Sequence, residues 1–156
     1  MSRKAPIKDF RFEVREAELA DVHNGLLQTL ESLSEVGGLT PASAREILSD
    51  MGRAGSHLFT AVVERGKVIG ATTLLVEKKL IHKGGLVGHI EDVAVRGGYE
   101  GKGVGRALVG AAVERARDLG CYKVILDCSE DVVGFYEKLG FRRHEVGMRI
   151  DLKRKS

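Results

Sequence analysis

Cysteine is scarce in this sequence, which has only Cys121 and Cys128 among its 156 residues. Two thiols are too few for a disulfide-stapled scaffold, and without a pair of nearby histidines they do not form a tetrahedral zinc site. We therefore expect both thiols to be buried, reduced and structural, and we expect no metal. The segment from Met1 to Asp9 lacks the apolar centre of a secretory signal, which together with the free thiols predicts a cytoplasmic location, with an organellar one left open.

Long apolar runs are also lacking, since no stretch approaches the roughly 18 residues that a membrane-spanning helix needs. The charges nearly balance, with 25 basic against 22 acidic residues and a formal net charge of +3. This excess is too small to predict a nucleic-acid partner. Hydrophobic residues make up 43% and charged residues 30% of the chain, which indicates a globular protein. We expect a single domain over residues 1–156.

Hydrophobic spacing predicts alternating strands and helices along the chain. The first half is predicted to hold a strand from Phe10 to Val14, a helix capped by Asp21 that ends at Gly37, a helix from Thr40 to Gly52, and a hairpin of Leu58–Glu64 and Val68–Val76. The second half is predicted to hold a strand at His89–Val95, a helix with an apolar stripe from Leu108 to Leu119, a buried central strand at Lys123–Asp127, a helix capped by Ser129, and a final strand at Glu145–Leu152. This order indicates a mixed α/β sheet with helices on its faces.

Three glycines, Gly101, Gly103 and Gly105, lie in the turn between a predicted strand and a predicted helix. Glycines let the backbone approach a ligand closely, and the free amides of a helix start can bind a phosphate. The turn is not a Walker loop, because Lys102 is followed by glycine, and it is not a dinucleotide fingerprint, because Arg106 stands where the third glycine belongs. On the residues alone, it is either a phosphate-binding turn or a flexible loop.

The segment Glu100–Gly105 resembles the coenzyme-pyrophosphate motif of the GCN5-related N-acetyltransferases (GNAT), which reads Gln/Arg-x-x-Gly-x-Gly/Ala. Glu100 departs from that motif, and we expect its carboxylate to point away so that backbone amides bind the phosphates. The other segments that resemble the glucosamine 6-phosphate N-acetyltransferases within this superfamily are Lys79–His82, Gly88–Val95, Gly120–Cys128 and Phe135–Phe141. The resemblance runs from about Phe10 to the predicted final strand.

The resemblance implies a GNAT fold, an α/β domain with a mixed, mostly antiparallel sheet flanked by helices. It implies transfer of acetyl from acetyl-CoA to the amine of D-glucosamine 6-phosphate. The product is N-acetyl-D-glucosamine 6-phosphate, on the route to UDP-N-acetylglucosamine. The amine would attack directly in a ternary complex, without an acetyl-enzyme. It also implies a homodimer in which the partner chain completes the sugar site.

The same resemblance assigns roles to individual residues. Tyr136 would donate a proton or hydrogen bond to the departing thiolate, Glu91 would receive the amine proton, and Asp127 would contact the amine through its main chain. The implied coenzyme-binding residues are Val93, Ala94, Val95, Gly101, Lys102, Gly103, Val104, Gly105, Arg106, Asp127, Tyr136 and Lys138. The implied sugar-binding residues are Ser34, Lys79, Leu80, Ile81, His82, Glu91, Asp92, Tyr122 and Lys123.

Simpler readings of these residues remain open on pattern alone. Tyr136 also fits the apolar stripe of its helix. A regular strand would point Glu91 and Asp92 to opposite faces, although a bulge there would change which face each one reaches. Two rival functions are an acetyltransferase for a protein amine or polyamine and a non-catalytic coenzyme A-binding module. The candidate phosphate ligands Lys79, His82 and Lys123 disfavour a cationic substrate. The presence of Tyr136 and Glu91 disfavours a non-catalytic module.

Overall fold

The structure is a computed structural model that describes residues 10–155. The chain divides into two compact units, one ending at Ile125 and the other beginning at Leu126. The elements of the first unit are β1 (Glu13–Glu16), α1 (Leu26–Glu31), α2 (Pro41–Arg53), β2 (Ser56–Val62), β3 (Val68–Lys78), β4 (Leu86–Val95), α3 (Val104–Asp118) and β5 (Cys121–Ile125). Short helical turns lie at Leu19–His23, Glu64–Gly66 and Ile81–Gly84. The second unit holds a 3-10 turn at Glu130–Val132 followed by α4 (Val133–Lys138).

The strands form one sheet in the order β1-β2-β3-β4-β5. The first four are joined antiparallel, and β5 is parallel to β4 because α3 carries the chain back across the sheet. The predicted mixed, mostly antiparallel sheet with flanking helices is therefore confirmed. The hairpin of β2 and β3 and the crossover through α3 both occur where the sequence predicts them.

The packing of α3 follows the apolar stripe predicted from the sequence. Leu108, Ala112 and Ala116 are fully buried. Gly70 on β3 lets the helix approach the sheet closely, since a Cβ atom there would lie 2.7 Å from Val104 and 2.8 Å from Leu108. A second cluster, formed by Val22, Leu26, Ala44, Val62, Val68 and Ala71, holds α1 and α2 against the sheet. Thr40 caps α2 as predicted, accepting the backbone N–H of Ser43 at 3.2 Å.

Asp21 does not cap the following helix as predicted, because its carboxylate turns inward to Arg15. The guanidinium donates to both carboxylate oxygens, at 2.8 and 2.9 Å, and Thr60 donates its hydroxyl at 3.2 Å. Burial alone would raise the pKa of Asp21, but the hydrogen bonds from Arg15, the Glu18 N–H and Thr60 outweigh it and hold that pKa below its ordinary value. Helix α1 instead begins after Gly25, which has a left-handed φ of 104°.

The predicted final strand is wrong for the chain as the structure describes it, because residues 145–152 form no strand. Alternation of apolar and polar residues suits a strand only where a neighbouring strand supplies hydrogen bonds. The segment leaves its apolar side chains 82–94% exposed, namely Val146, Met148, Ile150 and Leu152. Because no strand from residues 145–152 pairs with β5, β5 is the edge of the sheet in the described residues, and the prediction of a buried central strand there is wrong.

Smaller differences concern the ends of elements. The first strand begins at Glu13 rather than Phe10, and the last helix begins with a 3-10 turn in which Ser129 makes no side-chain cap. Among residues 10–155, no helix is both long enough and apolar enough to span a bilayer.

Candidate functional site

Strand β4 is paired along both edges for only part of its length. On one side it pairs with β3 throughout, whereas its parallel ladder with β5 ends at His89 and Ile125. Among the described residues, no other strand pairs with the remainder of that edge. The N–H of Arg96 donates to the carbonyl of Ile69 at 2.7 Å, so the N–H and C=O of Val95 point the other way, into the open edge. The open edge therefore offers backbone donors and acceptors to a ligand.

A β-bulge interrupts β4 at the predicted catalytic carboxylates. The Ala71–Ala94 pair is followed by the pair Thr73–Glu91. Between these two pairs, β4 contains one residue more than β3. The extra residue is accommodated at Asp92, whose φ of 52° is uncommon for a residue other than glycine. Glu91 and Asp92 are both exposed beside the open edge, while Ala94 is buried.

The glycine-rich connection from β4 to α3 has the backbone conformations that its sequence predicts. Gly98, Gly101 and Gly103 all have positive φ, and Gly103 is the residue before the first turn of α3. The first intrahelical bond runs from the N–H of Ala107 to the carbonyl of Gly103, which leaves the preceding amides free of helical partners. A Cβ atom at Gly101 or Gly103 would meet nothing within 4 Å, so the backbone there lies open on its surface.

Two charged side chains of this connection have local partners. The Glu100 carboxylate turns back along the connection and accepts the N–H of Gly98 at 2.8 Å. The Lys102 ammonium lies 5.1 Å above the ring of Phe10, a cation–π contact. Val104 is buried, and Arg106 is exposed on the first turn of α3.

The predicted phosphate ligand Lys79 already has an acidic partner, Glu77. The Lys79 ammonium lies 2.6 Å from one Glu77 oxygen, and the His89 imidazole lies 2.7 Å from the other. Hydrogen bonds from Lys79, and to a smaller extent from His89, hold the pKa of the Glu77 carboxyl below its ordinary value. The hydrogen bond between Lys79 and Glu77 also raises the pKa of Lys79. Sequence reasoning missed Glu77 and His89, because only the β3–β4 register brings them together.

Three of the predicted sugar ligands, His82, Tyr122 and Lys123, lie next to one another. The rings of His82 and Tyr122 are 4.5 Å apart, and the Lys123 ammonium lies 5.8 Å from the Tyr122 ring centre. Gly85 makes room for this arrangement, because a Cβ atom there would lie 2.7 Å from the Tyr122 ring. His82 and Lys83 both have positive φ, which forms a left-handed turn after β3.

The remaining predicted sugar ligands of the first unit lie on exposed backbone. Leu80 is 99% and Ile81 63% exposed on the turn that also carries His82. Ser34 lies in the exposed connection after α1, where its N–H donates to the carbonyl of Leu30 at 3.2 Å. Within residues 10–155, no hydrogen bond joins the Ser34 hydroxyl to the other predicted sugar ligands.

The second unit carries Tyr136, Asp127 and Lys138. The Tyr136 ring packs edge-on against Phe135 at 4.9 Å and Phe141 at 5.8 Å. Burial raises the pKa of the Tyr136 phenol, with a further contribution from Cys128, so the phenol keeps its proton at neutral pH.

The other groups of this unit are more exposed. Asp127 lies in the exposed segment ahead of α4, and Lys138 is exposed in its last turn. Arg143 and Glu130 form a pair with two hydrogen bonds, at 2.9 and 2.7 Å. In the first unit, partial burial raises the pKa of the Cys121 thiol, as expected for an unreactive cysteine. Cys128 is exposed in the second unit, so the prediction that both thiols are buried is wrong for Cys128, which lies in an open segment ahead of α4.

A family model described as the Acetyltransferase (GNAT) family matches residues 25–141. The chain belongs to the GNAT acetyltransferase family. A glucosamine 6-phosphate N-acetyltransferase of Trypanosoma brucei brucei is 42% identical over 143 residues, which cover 90% of this chain and 95% of that protein. A protein of the same name from Candida albicans is 40% identical over 139 residues, which cover 88% and 93%. The crystal structure of glucosamine-6-phosphate N-acetyltransferase from Arabidopsis thaliana matches with a TM-score of 0.88 at 29% identity, covering 92% of this chain and 100% of that one.

Membership identifies this acetyltransferase as an acyltransferase that uses acetyl-CoA as co-substrate. The open edge of β4 and the free amides at the start of α3 fit an extended ligand with a pyrophosphate, because both offer backbone donors where the surface is open.

The glycine conformations give a direct test of the amides ahead of α3. Gly103→Ala places a side chain at a φ of 84°, which costs about 1 kcal/mol of stability and shifts those amides. We expect the KM for acetyl-CoA to rise roughly tenfold, which corresponds to about 1.4 kcal/mol of binding free energy.

Gly120→Ala is the matched control, because Gly120 has the same φ of 84° and equally open space, but lies at the other end of α3. It should lose similar stability in urea unfolding and keep the wild-type KM. Equal KM values in the two variants would exclude a role for these amides in coenzyme binding.

Proposed function

We propose that this acetyltransferase moves acetyl from acetyl-CoA to the amine of D-glucosamine 6-phosphate, giving N-acetyl-D-glucosamine 6-phosphate. The observation that carries the proposal is a group of basic side chains at the end of β3 and the start of β4 and β5, formed by Lys79, His82, His89 and Lys123, with the Glu77 carboxylate between Lys79 and His89. Such a group suits a sugar phosphate and disfavours a cationic peptide or polyamine. Relatives with this named activity match about nine-tenths of the chain, which supports the same substrate here.

The proposed reaction is direct attack of the sugar amine on the thioester. A new C–N bond forms, the C–S bond breaks, and the amine proton passes to Glu91 directly or through water. Open-edge backbone groups of β4 at Val93 and Val95 orient the acetyl carbonyl and the pantetheine arm. The Tyr136 phenol donates to the departing thiolate, and Asp127 contacts the amine through its main chain.

We also propose that residues 1–156 act as one acetyltransferase domain. The family model supports this, because residues 25–141 span the boundary between the two compact units at Ile125 and Leu126. A cytoplasmic location remains a prediction from the sequence.

A homodimer is the proposed working state. The four apolar side chains at alternate positions from Val146 to Leu152 are 82–94% exposed in the single chain, and Leu80 is almost fully exposed. Exposed apolar residues in such a pattern favour burial against another chain. A second copy also fits the proposal that the partner chain completes the sugar site.

The acceptor is tested by measuring thiol release from acetyl-CoA with glucosamine 6-phosphate, glucosamine and a basic peptide in parallel. We expect kcat/KM to be at least about 100-fold higher for the phosphorylated sugar than for glucosamine, because charge-assisted contacts to the phosphate are lost with the latter. A preference for the peptide would favour the rival protein acetyltransferase. Acetylation of the protein without any acceptor would contradict direct attack.

Tyr136→Phe tests the proposed donor to the thiolate. Phenylalanine keeps the ring packed against Phe135 and Phe141, so only the hydroxyl is lost. We expect kcat to fall about 100-fold, which is typical of losing a proton donor, with the Kd of the coenzyme nearly unchanged. Rapid-mixing kinetics and coenzyme titration measure the two quantities, and an unchanged kcat would dismiss the role.

The dimer is tested by light scattering of the purified chain, whose monomer mass is 17.0 kDa. Met148→Asp should convert a dimer to a monomer and weaken binding of the sugar phosphate, because a carboxylate cannot be buried in an apolar contact. The control is Arg149→Gln, the neighbouring position in the alternation, which should remain dimeric. A wild-type mass of one chain at micromolar concentration would contradict the dimer.

A further inference from the structure

A basic cleft lies at the end of the sheet where β3 begins and β4 ends, built by residues far apart in the sequence. Its volume is about 350 Å³. It is lined by the cationic or ionisable side chains His23, Arg65, Lys67 and Arg96 and by the amides of Asn24 and Gln28. His23 precedes α1, Arg65 and Lys67 belong to the turn between β2 and β3, and Arg96 follows β4. None of these residues belongs to the predicted coenzyme or sugar ligands.

The charge of the basic cleft is not neutralised by its own walls. Among the lining residues that the structure describes, none has an acidic side chain. In the part of the chain that the structure describes, no ion pair involves His23, Arg65, Lys67 or Arg96. The side-chain contacts of Lys67 are with Tyr99, a hydrogen bond of 3.4 Å to its hydroxyl and a cation–π contact of 5.4 Å. Converging cations without a counter-charge repel one another, and an anion that enters between them relieves the repulsion.

The backbone provides the space that the guanidinium groups occupy. A Cβ atom at Gly25 would lie 2.6 Å from Nη1 of Arg96 and 3.3 Å from the carbonyl of Val68, so a side chain there would displace the guanidinium from its present position. Arg65 has a φ of 68°, a left-handed conformation that a side-chain-bearing residue rarely adopts. The glycine thus leaves the space that Arg96 occupies, and an unusual backbone conformation places Arg65 at the basic cleft.

We propose that the basic cleft is a second phosphate-binding site, separate from the amides ahead of α3. Arginine forks match the geometry of phosphate oxygens, and an ammonium with two neutral amides can bind the rest of such a group. The volume admits a phosphate with part of the molecule that carries it. That phosphate belongs either to the coenzyme itself, as its 3′-phosphate, or to a separate small phosphorylated molecule. The proposal does not depend on which amine accepts the acetyl group.

The test compares the double variant Arg65→Gln/Arg96→Gln with the wild type in calorimetric titrations at fixed ionic strength. The probes are coenzyme A, coenzyme A without its 3′-phosphate, and inorganic pyrophosphate added to protein saturated with coenzyme A. If the coenzyme supplies the phosphate, the double variant should bind coenzyme A about tenfold more weakly than the wild type does. The two proteins should then bind coenzyme A without its 3′-phosphate with equal affinity. If a separate molecule supplies it, wild-type protein saturated with coenzyme A should bind pyrophosphate, and the double variant should bind it about tenfold more weakly.

Arg45→Gln is the matched control, because Arg45 is an exposed arginine on α2 outside the basic cleft. It should change none of the affinities. Gly25→Ala gives a second route, since it displaces the Arg96 guanidinium without removing a charge, and it should reproduce part of the loss. The proposal is overturned if the double variant binds both forms of coenzyme A as the wild type does and pyrophosphate does not bind beside the coenzyme. Failure of the acetylation assay with glucosamine 6-phosphate would leave this result unaffected.

Discussion

Within residues 10–155, backbone groups along one edge of β4 have no strand partner beyond His89, and the first unit's part of the candidate site is arranged around that edge. A polar backbone group that loses its partner must bind water or a ligand, since leaving it buried and unpaired is costly. The bulge at Asp92 lies beside the same edge, and the connection to α3 follows directly. One continuous segment therefore supplies the open backbone, the exposed carboxylates and the free amides, with α3 packed firmly against the sheet behind them.

The sequence predicted the elements whose signals are local. The apolar stripe of α3, the threonine cap of α2 and the hairpin of β2 and β3 depend on neighbours within a few positions, and the structure contains all three. The errors came from elements that need a distant partner. Asp21 has the residue type of a helix cap, but its buried carboxylate accepts two hydrogen bonds from Arg15, a half-buried arginine on β1. Residues 145–152 alternate like a strand, yet no strand in the described part of the chain pairs with them.

The candidate site also combines features with local sequence signals and features that depend on distant residues. The positive φ values of Gly101 and Gly103 were predictable, because glycine conformation is a local property. The Glu77–His89 contact was not, since it exists only at one register of β3 against β4. The basic cleft was equally hidden, because three separated segments supply its cations. The roles of Tyr136, Asp127 and Lys138 stay predictions from the resemblance.

Glu77 gives the Lys79 ammonium a counter-ion before any substrate arrives, at 2.6 Å. Any incoming anion must therefore take part in an ion exchange rather than fill a vacant charge. The Lys79–Glu77 pair is partly exposed, so water and salt screen it and its rearrangement costs little. The displaced carboxylate stays tethered to β3, and it repels the incoming anion unless it turns fully away or takes up a proton. Glu77 therefore competes with any anionic ligand for the Lys79 ammonium.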